Sequence, residues 1–599
     1  MENIRKVLIF LSFCFFGCCY SVASDVGVLV SGRNNVLVSV KNNKKYILLP
    51  IDEGAPKSEI SLLADGKCVD KFTARLSNIR IDYYTPVDVS AYKDASILLN
   101  IVNPENVNFA DYICWGKIKV SDTFDSSNKE AFRPAYHHTP AYGWMNDPNG
   151  MFYDAKKGLW HLYYQYNPYD SKWGNMTWGH SVSKDLVKWE ARPAAIKPDA
   201  LGMIFSGSCV LDTMNTAGYG KDAVIAFYTS AAASQMQSMA YSTDGGETFT
   251  PYEGNPVITD PAADFRDPKV FYNSARGVWT MVLACGQEIK FYSSANLKDW
   301  SFDSSFGTGV GCHNGVWECP DLFLLPVKGT KQYKWVLVVN INPGGPFGGS
   351  ATQYFIGDYD GVKFTSDQKE AKWMDYGKDH YATVSFYNAP EKRCVVMAWM
   401  SNWQYAEILP TKQFRSQNSV ARDLGLFKDA NGEIWLSVLP SKENNALYGA
   451  QVLNTVLSSA KGGSETAITA GPSVFNISLD MKKGSDVSLT FANADGETAV
   501  IKYNSATSEV SFAREQYKAK VSNEFPAETK AVLVKTKGSN PNKLNLTLFV
   551  DNCSMELFDS EGRMAMTNLV FPKGGFSSVK VASEKGSAKV AIKQNQINQ

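Results

Sequence analysis

Residues 151–166, MFYDAKKGLWHLYYQY, consist of an apolar run, a polar turn and a second apolar run. This pattern is typical of a β-hairpin. The pattern occurs five times between about residues 131 and 435, and its copies start roughly 50–60 residues apart. The other four copies are CVLDTMNTAGYGKDAVIAFYTS from 209, KVFYNSARGVWTMVLAC from 269, LFLLPVKGTKQYKWVLVVN from 322 and VSFYNAPEKRCVVMAWM from 384.

A second motif accompanies the repeat. The segments SKDLVKW from 183, STDGGETF from 242 and SANLKDW from 294 each place a serine, a turn-forming Asp or Asn and then an aromatic residue, and GDYDGVKF from 357 is a looser copy. All-β self-similarity at this period predicts a propeller, and five copies predict five blades over residues 131–440. The alternative is an irregular β-sandwich whose strand spacing is accidental.

The flanking regions also contain only strand patterns. Short apolar runs separated by Gly, Asn, Asp and Lys turns predict a small β-sandwich over residues 25–125, and the polar segment SDTFDSSNKE from 121 is a linker. Alternating runs such as KLNLTLFVD predict a second β-sandwich over 450–599. The chain is therefore predicted to be all-β.

Composition limits the partners. The 599 residues include 60 acidic and 60 basic side chains, so no basic excess supports a nucleic-acid or membrane-surface partner. Aromatic residues make up 13% of the chain, which suits either β-rich cores or sugar-binding clefts.

The N-terminus resembles an export signal. Arg5 and Lys6 precede an apolar run that ends near Cys19, and small residues follow at 23 and 24, so residues 1–24 are predicted to be a cleaved signal peptide. Cleavage at Gly17-Cys18, which would give a surface lipoprotein, is the alternative to a periplasmic or secreted form. No second apolar stretch approaches the length of a membrane span. Eight cysteines remain without the leader, and of these Cys312 and Cys319 could form a disulfide.

Acidic residues precede the first strand of most repeats. Because the first strand of a propeller blade is the innermost, these residues should meet at one end of the axis. Blade two contributes a serine instead, and three of the acids have a proline one or two residues later, which stiffens the chain there. The residues are Asp147, Ser206, Asp267, Glu318, and for blade five Asp375 and Asp379.

Converging carboxylates suit Ca²⁺ binding or glycoside hydrolysis. Many aromatic residues lie in or near the same segments, and polar neighbours can pair with hydroxyl groups, so glycoside chemistry without a metal or cofactor is favoured. The aromatic residues are Trp144, Trp173, Trp178, Phe205, Trp317, Trp399 and Trp403, and the polar ones are Asn146, Gln165, Ser206 and Arg266.

The segments HHTPAYGWMNDPNG, FRDP and WECPD resemble, in order, the diagnostic motifs of glycoside hydrolase family 32, the invertases, inulinases and levanases. The resemblance covers about residues 131–599 and implies a five-bladed propeller followed by a β-sandwich. It also implies that Asp147 is the nucleophile, Glu318 the general acid/base and Asp267 a transition-state stabiliser. Implied sugar contacts are Asn146, Gln165, Trp173, Phe205, Ser206, Arg266 and Trp399.

The implied mechanism is retaining, with the carboxyl groups of Asp147 and Glu318 about 5–5.5 Å apart. We expect Trp317 and the neighbouring acids to raise the pKa of Glu318, and Arg266 to keep Asp267 ionised. Structural roles are expected for Trp178, Trp403, Cys319, His137 and His138, the two histidines because adjacent side chains in a strand face opposite ways. Asp375 could only order its loop, and Asp379 is undecided.

The predicted activity is exo-hydrolysis of a fructan, levan or inulin, from the fructose end, with sucrose as a further substrate. The extra N-terminal domain, about 105 residues before WMNDPNG, favours a polysaccharide substrate. Alternatives are an endo-levanase or fructosyltransferase, which depend on loop shape, and a fructan-binding protein with an inactive propeller, which the three intact acids disfavour.

Overall fold

The computed structural model describes residues 25–41, 44–103, 108–127, 129–460 and 462–598. The predicted signal peptide and the Gly17-Cys18 alternative lie outside these ranges. The described residues form two compact units, one that ends at Phe124 and one that begins at Asp125. In the described ranges we found no helix with the length and apolar character that crossing a membrane requires.

The predicted all-β class is confirmed. Besides strands, the described residues form six short 3₁₀ turns, at Ser90–Tyr92, Phe109–Asp111, Ile113–Gly116, Pro390–Lys392, Ala406–Ile408 and Lys442–Leu447.

The first unit contains two antiparallel sheets, in the orders β1-β2-β7-β4-β5 and β6-β3-β8. In β4, residues alternate between buried and more exposed positions, as expected of strands with one face in a core. The strands are β1 Val26–Gly32, β2 Asn35–Lys41, β3 Tyr46–Ile51, β4 Ser58–Ala64, β5 Lys67–Ala74, β6 Tyr83–Asp88, β7 Ser96–Val102 and β8 Lys119–Ser121.

The second unit begins with five sheets, one for each sequence repeat. Blade one is β9 Gly143–Asp154, β10 Leu159–Asn167, β11 Thr177–Ser183 and β12 Trp189–Ile196. Blade two is β13 Met203–Asp212, β14 Ala223–Ala231, β15 Gln235–Ser242, β16 Thr250–Pro251 and β17 Ile258–Thr259. Blade three is β18 Phe265–Asn273, β19 Val278–Cys285, β20 Glu288–Ser294 and β21 Ser301–Phe306.

Blade four is β22 Val316–Pro326, β23 Tyr333–Asn342, β24 Ala351–Tyr359, β25 Phe364–Thr365 and β26 Lys372–Trp373. Blade five is β27 Tyr381–Ser385, β28 Cys394–Trp399, β30 Arg422–Lys428 and β31 Ile434–Pro440. The first strands form a ring, because β13 contacts β9 and β18, β22 contacts β18 and β27, and β27 contacts β9. A short strand, β29 Phe414–Arg415, follows β28 and pairs with β9, which ties blade five to blade one. The five-bladed propeller is thus confirmed.

The first strand of every blade contains a two-residue bulge where it pairs with the second strand. In each blade two residues of the first strand lie opposite one residue of the second, at 146–147, 205–206, 267–268, 319–320 and 382–383. Three bulges contain a residue with positive φ, namely Asp267 at 64°, Cys319 at 43° and Ala382 at 53°. Bulges redirect side chains and often adjoin active sites. Asp147, Asp267 and Glu318 therefore lie inside strands, not before them as expected. Pro268 and Pro320 occupy bulges, where no ladder donor is lost, and Pro148 directly follows one.

The remaining residues form a sandwich of two six-stranded sheets around one apolar core. The first sheet contains β32 Tyr448–Ser458, β43 Ala588–Ile597, β34 Ser473–Met481, β39 Lys543–Asp551, β40 Ser554–Asp559 and β41 Ala565–Leu569. The second contains β33 Ser464–Ala467, β42 Ser578–Ala582, β35 Asp486–Ala492, β36 Thr498–Asn504, β37 Glu509–Arg514 and β38 Ala527–Val532.

Buried ion pairs join the sandwich to the propeller. Arg514 of the sandwich binds the carboxylate of Asp379, and Arg422 of the propeller bridges Asp375 and Glu556. All these side chains are at most 1% exposed, so each charge depends on its partner for compensation.

Candidate active site

The bulged strand ends surround a cavity of about 510 Å³ in the propeller. Its wall contains carboxylates from three blades, aromatic rings and neutral polar groups. The lining residues are Asn146, Asp147, Gln165, Trp173, Phe205, Ser206, Gln235, Asp264, Arg266, Asp267, Glu318, Asn342, Tyr381, Trp403 and Glu407.

Asp147 is held by donors from two blades. The Nδ2 of Asn146 donates to its Oδ1 at 3.0 Å, and the hydroxyl of Ser206 donates to its Oδ2 at 2.7 Å. Trp144 in turn donates to Asn146 Oδ1 at 2.8 Å, which fixes the orientation of that amide. The carboxylate is thus held in one orientation by donors to both of its oxygens.

Glu318 is bound by Arg266 and Tyr381. The Nε and Nη2 of Arg266 donate to Glu318 Oε1 at 3.1 and 2.9 Å, and the Tyr381 hydroxyl donates to Oε2. Burial raises the pKa of Glu318, whereas the Arg266 charge and the Tyr381 hydrogen bond lower it, and the net shift is upward.

Asp267 is the most enclosed of the three acids, with 6% of the residue exposed. Its Oδ2 accepts the backbone N–H of Cys319 at 2.9 Å, which joins blades three and four. Burial raises the pKa of Asp267 to about 7, and the charges of Glu318 and Asp147 act in the same direction. The pKa of Asp267 is therefore raised well above that of an ordinary aspartate, because burial outweighs the opposing charge of Arg266.

Two predictions about the pKa values of the acids were wrong: that Arg266 keeps Asp267 ionised, and that Trp317 raises the pKa of Glu318. Arg266 makes its ion pairs with Glu318 and Asp264, at 2.9 and 2.7 Å, and its charge lowers the pKa of Asp267 without cancelling the effect of burial. Trp317 points away from the acids, because its indole donates to the carbonyl of Cys312 and packs in another apolar cluster. Side chains of adjacent strand residues face opposite ways, which explains its position behind Glu318.

Cys319 lies between two of the acids. Its Sγ is 3.4 Å from Asp147 Oδ2 and 3.5 Å from Asp267 Oδ2, and burial raises the pKa of the thiol well above its usual value. It is thus a neutral neighbour of the carboxylates and is in direct contact with two of them, not only with Glu318 in the chain. Cys312 and Cys319 are both free thiols, so they form no disulfide.

The neutral wall is formed by Gln165, Trp173 and Phe205. The Nε2 of Gln165 is buried and has no hydrogen-bond partner in the described part of the chain. The rings of Trp173 and Phe205 meet edge to face, with centroids 5.9 Å apart. Such a wall offers apolar faces and a free donor to a polyhydroxylated ligand.

Trp399 was predicted to contact the sugar and Trp403 to pack in the core, but Trp403 is the one that lines the cavity. Trp399 is fully buried and does not line the cavity, whereas Trp403 is half-buried and does. Their ring centroids are 4.8 Å apart, and Trp403 also stacks on Trp144. Trp399 therefore supports a ring that faces the ligand space. Trp178 is buried and donates to the carbonyl of Phe205, consistent with packing.

Blade five does not place its acids at the axis. Asp375 and Asp379 are bound to Arg422 and Arg514 at the sandwich, and Tyr381 is the blade-five residue that lines the cavity. Four acid-bearing blades were expected, and three contribute an acid through their bulged first strands.

His137 and His138 lie outside the cavity. His137 bridges Asp551 and Glu556 at 2.7 and 2.8 Å, and His138 lies 2.9 Å from the hydroxyl of Ser181. Burial lowers the pKa of His137, but the two carboxylate hydrogen bonds raise it to about 9 overall. Both side chains have structural partners, although they lie in a loop and not in the strand on which that expectation was based.

Five lining residues were missed: Gln235, Asp264, Asn342, Tyr381 and Glu407. Asp264 and Gln235 both accept from Arg266, at 2.7 and 3.1 Å. The proximity of Asp264 to FRDP was a usable signal for this residue. Within the described ranges, no cluster of three or more His, Cys, Asp or Glu side chains is arranged to bind a metal ion.

Comparison with known proteins places this geometry in a family. The model of the glycosyl hydrolases family 32 N-terminal domain matches residues 137–437, and that of the family's C-terminal domain matches 443–599. Residues 32–136 match a domain of unknown function, DUF4980.

The chain is similar to a levanase of Bacillus subtilis (strain 168), with 41% identity over 78% of this chain and 71% of that protein. It is 50% identical to an extracellular exo-inulinase of Meyerozyma guilliermondii, over 50% of this chain and 60% of that protein.

Solved structures agree. Exo-inulinase from Aspergillus awamori superposes with a TM-score of 0.72 at 31% identity, covering 79% of this chain and 99% of that one. The β-fructofuranosidase of Schwanniomyces occidentalis complexed with fructosyl-erythritol gives a TM-score of 0.71 at 33% identity, covering 80% and 100%. The matches to both domain models, together with the levanase relative, establish that this chain belongs to glycosyl hydrolases family 32.

Proposed function

We propose that this protein is a β-fructosidase that hydrolyses fructans, levan or inulin, and sucrose. The observation that carries the proposal is the convergence of Asp147, Asp267 and Glu318 on one polar, aromatic-lined cavity. Relatives named levanase, exo-inulinase and invertase support this substrate class. A pair of carboxylates flanking one pocket suits glycoside hydrolysis.

In the proposed mechanism Asp147 is the nucleophile. Its carboxylate attacks the anomeric carbon of a β-fructofuranosyl unit while the bond to the leaving oxygen breaks. Asn146 and Ser206 hold the attacking carboxylate in place, so little reorganisation precedes the attack. The product of this step is a covalent fructosyl-enzyme.

Glu318 is the proposed general acid and base. Its proton passes to the leaving oxygen in the first step, and in the second step its carboxylate takes a proton from the water that releases fructose and frees Asp147. Asp267 binds fructosyl hydroxyls and stabilises the positive charge that develops at the anomeric carbon. Arg266 orients Glu318 through two hydrogen bonds.

We propose exo attack from the fructose end, with retention of configuration. The exo-inulinase names of relatives and of a solved structure support this mode. Endo attack requires a groove that accepts chain on both sides of the scissile bond, and a fructosyltransferase requires an acceptor sugar to replace water.

We also propose that the protein is exported, with residues 1–24 as the leader, since several relatives are named extracellular. Mass spectrometry of the mature N-terminus tests this. A chain starting near Asp25 supports a secreted or periplasmic form, and a lipid-modified Cys18 identifies a surface lipoprotein.

The test of function is a product profile. Purified mature protein is incubated separately with levan, inulin and sucrose, and early products are separated by chain length. Fructose as the sole early product from a polysaccharide supports exo attack, whereas a ladder of oligosaccharides indicates endo attack. Absence of product from all three substrates contradicts the proposed activity and leaves binding as the role of the pocket.

A further inference from the structure

Glu407 is a pocket carboxylate that the proposed mechanism does not use. It lies in the 3₁₀ turn Ala406–Ile408, within the segment that connects β28 of blade five to β29 on the blade-one sheet. The segment therefore crosses the seam between blades five and one. In a ring of five blades, blade three, which contributes Arg266, lies across the axis from that seam.

The carboxylate of Glu407 has one oxygen available for a ligand. Its Oε1 accepts the backbone N–H of Trp173 at 3.3 Å, and its Oε2 has no hydrogen-bond partner in the ranges that the structure describes. The side chain is half-buried and lines the cavity beside Trp173. A carboxylate oxygen in this position accepts hydrogen bonds from sugar hydroxyls.

The segment that carries Glu407 is fixed on several sides. The buried guanidinium of Arg415 donates to the carbonyls of Glu407 and Thr411. Asn402 donates to the carbonyl of Lys378 at 2.8 Å, which ties the start of the segment to blade five. Because the backbone is held in this way, the carboxylate is preorganised and a ligand need not order it.

The position of the leaving group decides what Glu407 can contact. Glu318 must touch the leaving oxygen to protonate it, so the leaving group lies towards blades three and four, where Arg266 holds Glu318. Glu407 accepts from Trp173 of blade one, and its segment crosses the seam opposite blade three, so it faces the part of the fructosyl unit that points away from the leaving group.

We propose that Glu407 binds hydroxyls on the far side of the terminal fructosyl unit and thereby determines specificity for that unit; this inference rests on the proposed function. Sucrose, levan and inulin share a terminal fructosyl unit and differ only in the leaving group. Glu407 thus contributes equally to the binding of all three.

The first test compares kcat/KM of the full-length wild type, Glu407→Ala and Glu407→Gln on the three substrates. We expect Glu407→Ala to lower kcat/KM by about 10- to 100-fold, by the same factor for each substrate, since a hydrogen bond to a charged group is lost. Glu407→Gln keeps an acceptor for the Trp173 N–H, and we expect about a fivefold fall.

The matched control is Ile408→Ala. Ile408 belongs to the same turn, is 50% exposed and does not line the cavity, so its kinetic constants should stay at the wild-type level. A Glu407→Gln enzyme with wild-type constants, or a fall confined to one substrate, overturns the inference. If Glu407→Ala fails to fold, the glutamine variant decides.

A second readout does not require hydrolysis. Fructose is titrated calorimetrically into the wild type, Glu407→Gln and Ile408→Ala. Weaker fructose binding in Glu407→Gln alone supports the inference even if the wild type hydrolyses none of the substrates, in which case the proposed activity fails by itself. Equal fructose affinity in all three proteins overturns the inference whatever the activity.

Discussion

Tyr381→Phe tests how the pocket controls the protonation of Glu318. The substitution removes the hydroxyl that donates to Glu318 Oε2 and keeps the ring that packs with Trp399. A hydrogen bond donated to a carboxylate favours its charged form, so its loss raises the pKa of Glu318. The proposed mechanism needs Glu318 protonated at the start of the reaction. We therefore expect the alkaline limb of the pH profile of kcat/KM to move to higher pH.

The size of the shift follows from the contacts that remain. A hydrogen bond to a charged group contributes about 1.5–3 kcal/mol. Glu318 keeps both bonds from Arg266, and its side chain is 20% exposed, so the lower end of this range applies. About 1.4 kcal/mol corresponds to one pKa unit, and the expected displacement of the limb is therefore about one pH unit.

The assay is kcat/KM on sucrose from pH 4 to about 9, because this ratio reports ionisations of the free enzyme. Tyr517→Phe is the matched control, since it removes a buried tyrosine hydroxyl in the sandwich, where Tyr517 donates to the carbonyl of Thr498. Its profile should equal that of the wild type. An alkaline limb that stays in place or moves to lower pH in Tyr381→Phe refutes the reasoning.

Four further predictions concern the acid, the aromatic wall and the domain interface. Glu318→Gln should lower kcat by about 10²–10⁴-fold without lowering the melting temperature, and near-normal turnover contradicts its role. Trp403→Ala should weaken fructose binding about 3- to 10-fold in calorimetry, and unchanged affinity removes it from the sugar site. Arg514→Met should cost about 3–5 kcal/mol in chemical denaturation because a buried carboxylate loses its partner, against less than about 1 kcal/mol for exposed Lys518→Met. His137, whose folded-state pKa of about 9 exceeds the unfolded value, should contribute about 3 kcal/mol that is complete below pH 6.5 and is lost as pH rises towards 9, and this pH dependence should be absent in His137→Gln.

The sequence was sufficient for the architecture, because each blade repeats the same strand, turn and strand pattern. Periodicity did not reveal the bulges, which depend on pairing between strands and not on the apolar pattern of either strand. Residues such as Asp147 and Asp267 were therefore expected in front of strands, although they lie within them. The prolines that follow them mark the bulges and carried this information.

Site residues were predictable from the sequence only where they belong to the repeated blade motif. Asp147, Asp267 and Glu318 lie within or directly before the bulge of a first strand, and each has a proline one or two residues later, so one rule found all three. Trp403 and Glu407 lie in a connecting segment outside the repeat, and no periodic signal places them. Asp375 and Asp379 precede the blade-five strand as the acids of other blades were expected to do. Long-range pairs with Arg422 and Arg514 bind these two acids, and local sequence does not contain such contacts.

One cation, Arg266, lies among the acids that line the pocket, and it acts on them unequally. Arg266 is bonded to Glu318, so in the free protein it favours the Glu318 carboxylate, while burial leaves Asp267 with a pKa of about 7. If Asp267 binds fructosyl hydroxyls, as we propose, each donated hydrogen bond stabilises its carboxylate and lowers its pKa. An ionised Asp267 in turn raises the pKa of Glu318, because the two negative charges repel each other, and so favours the protonated Glu318 that the first step requires.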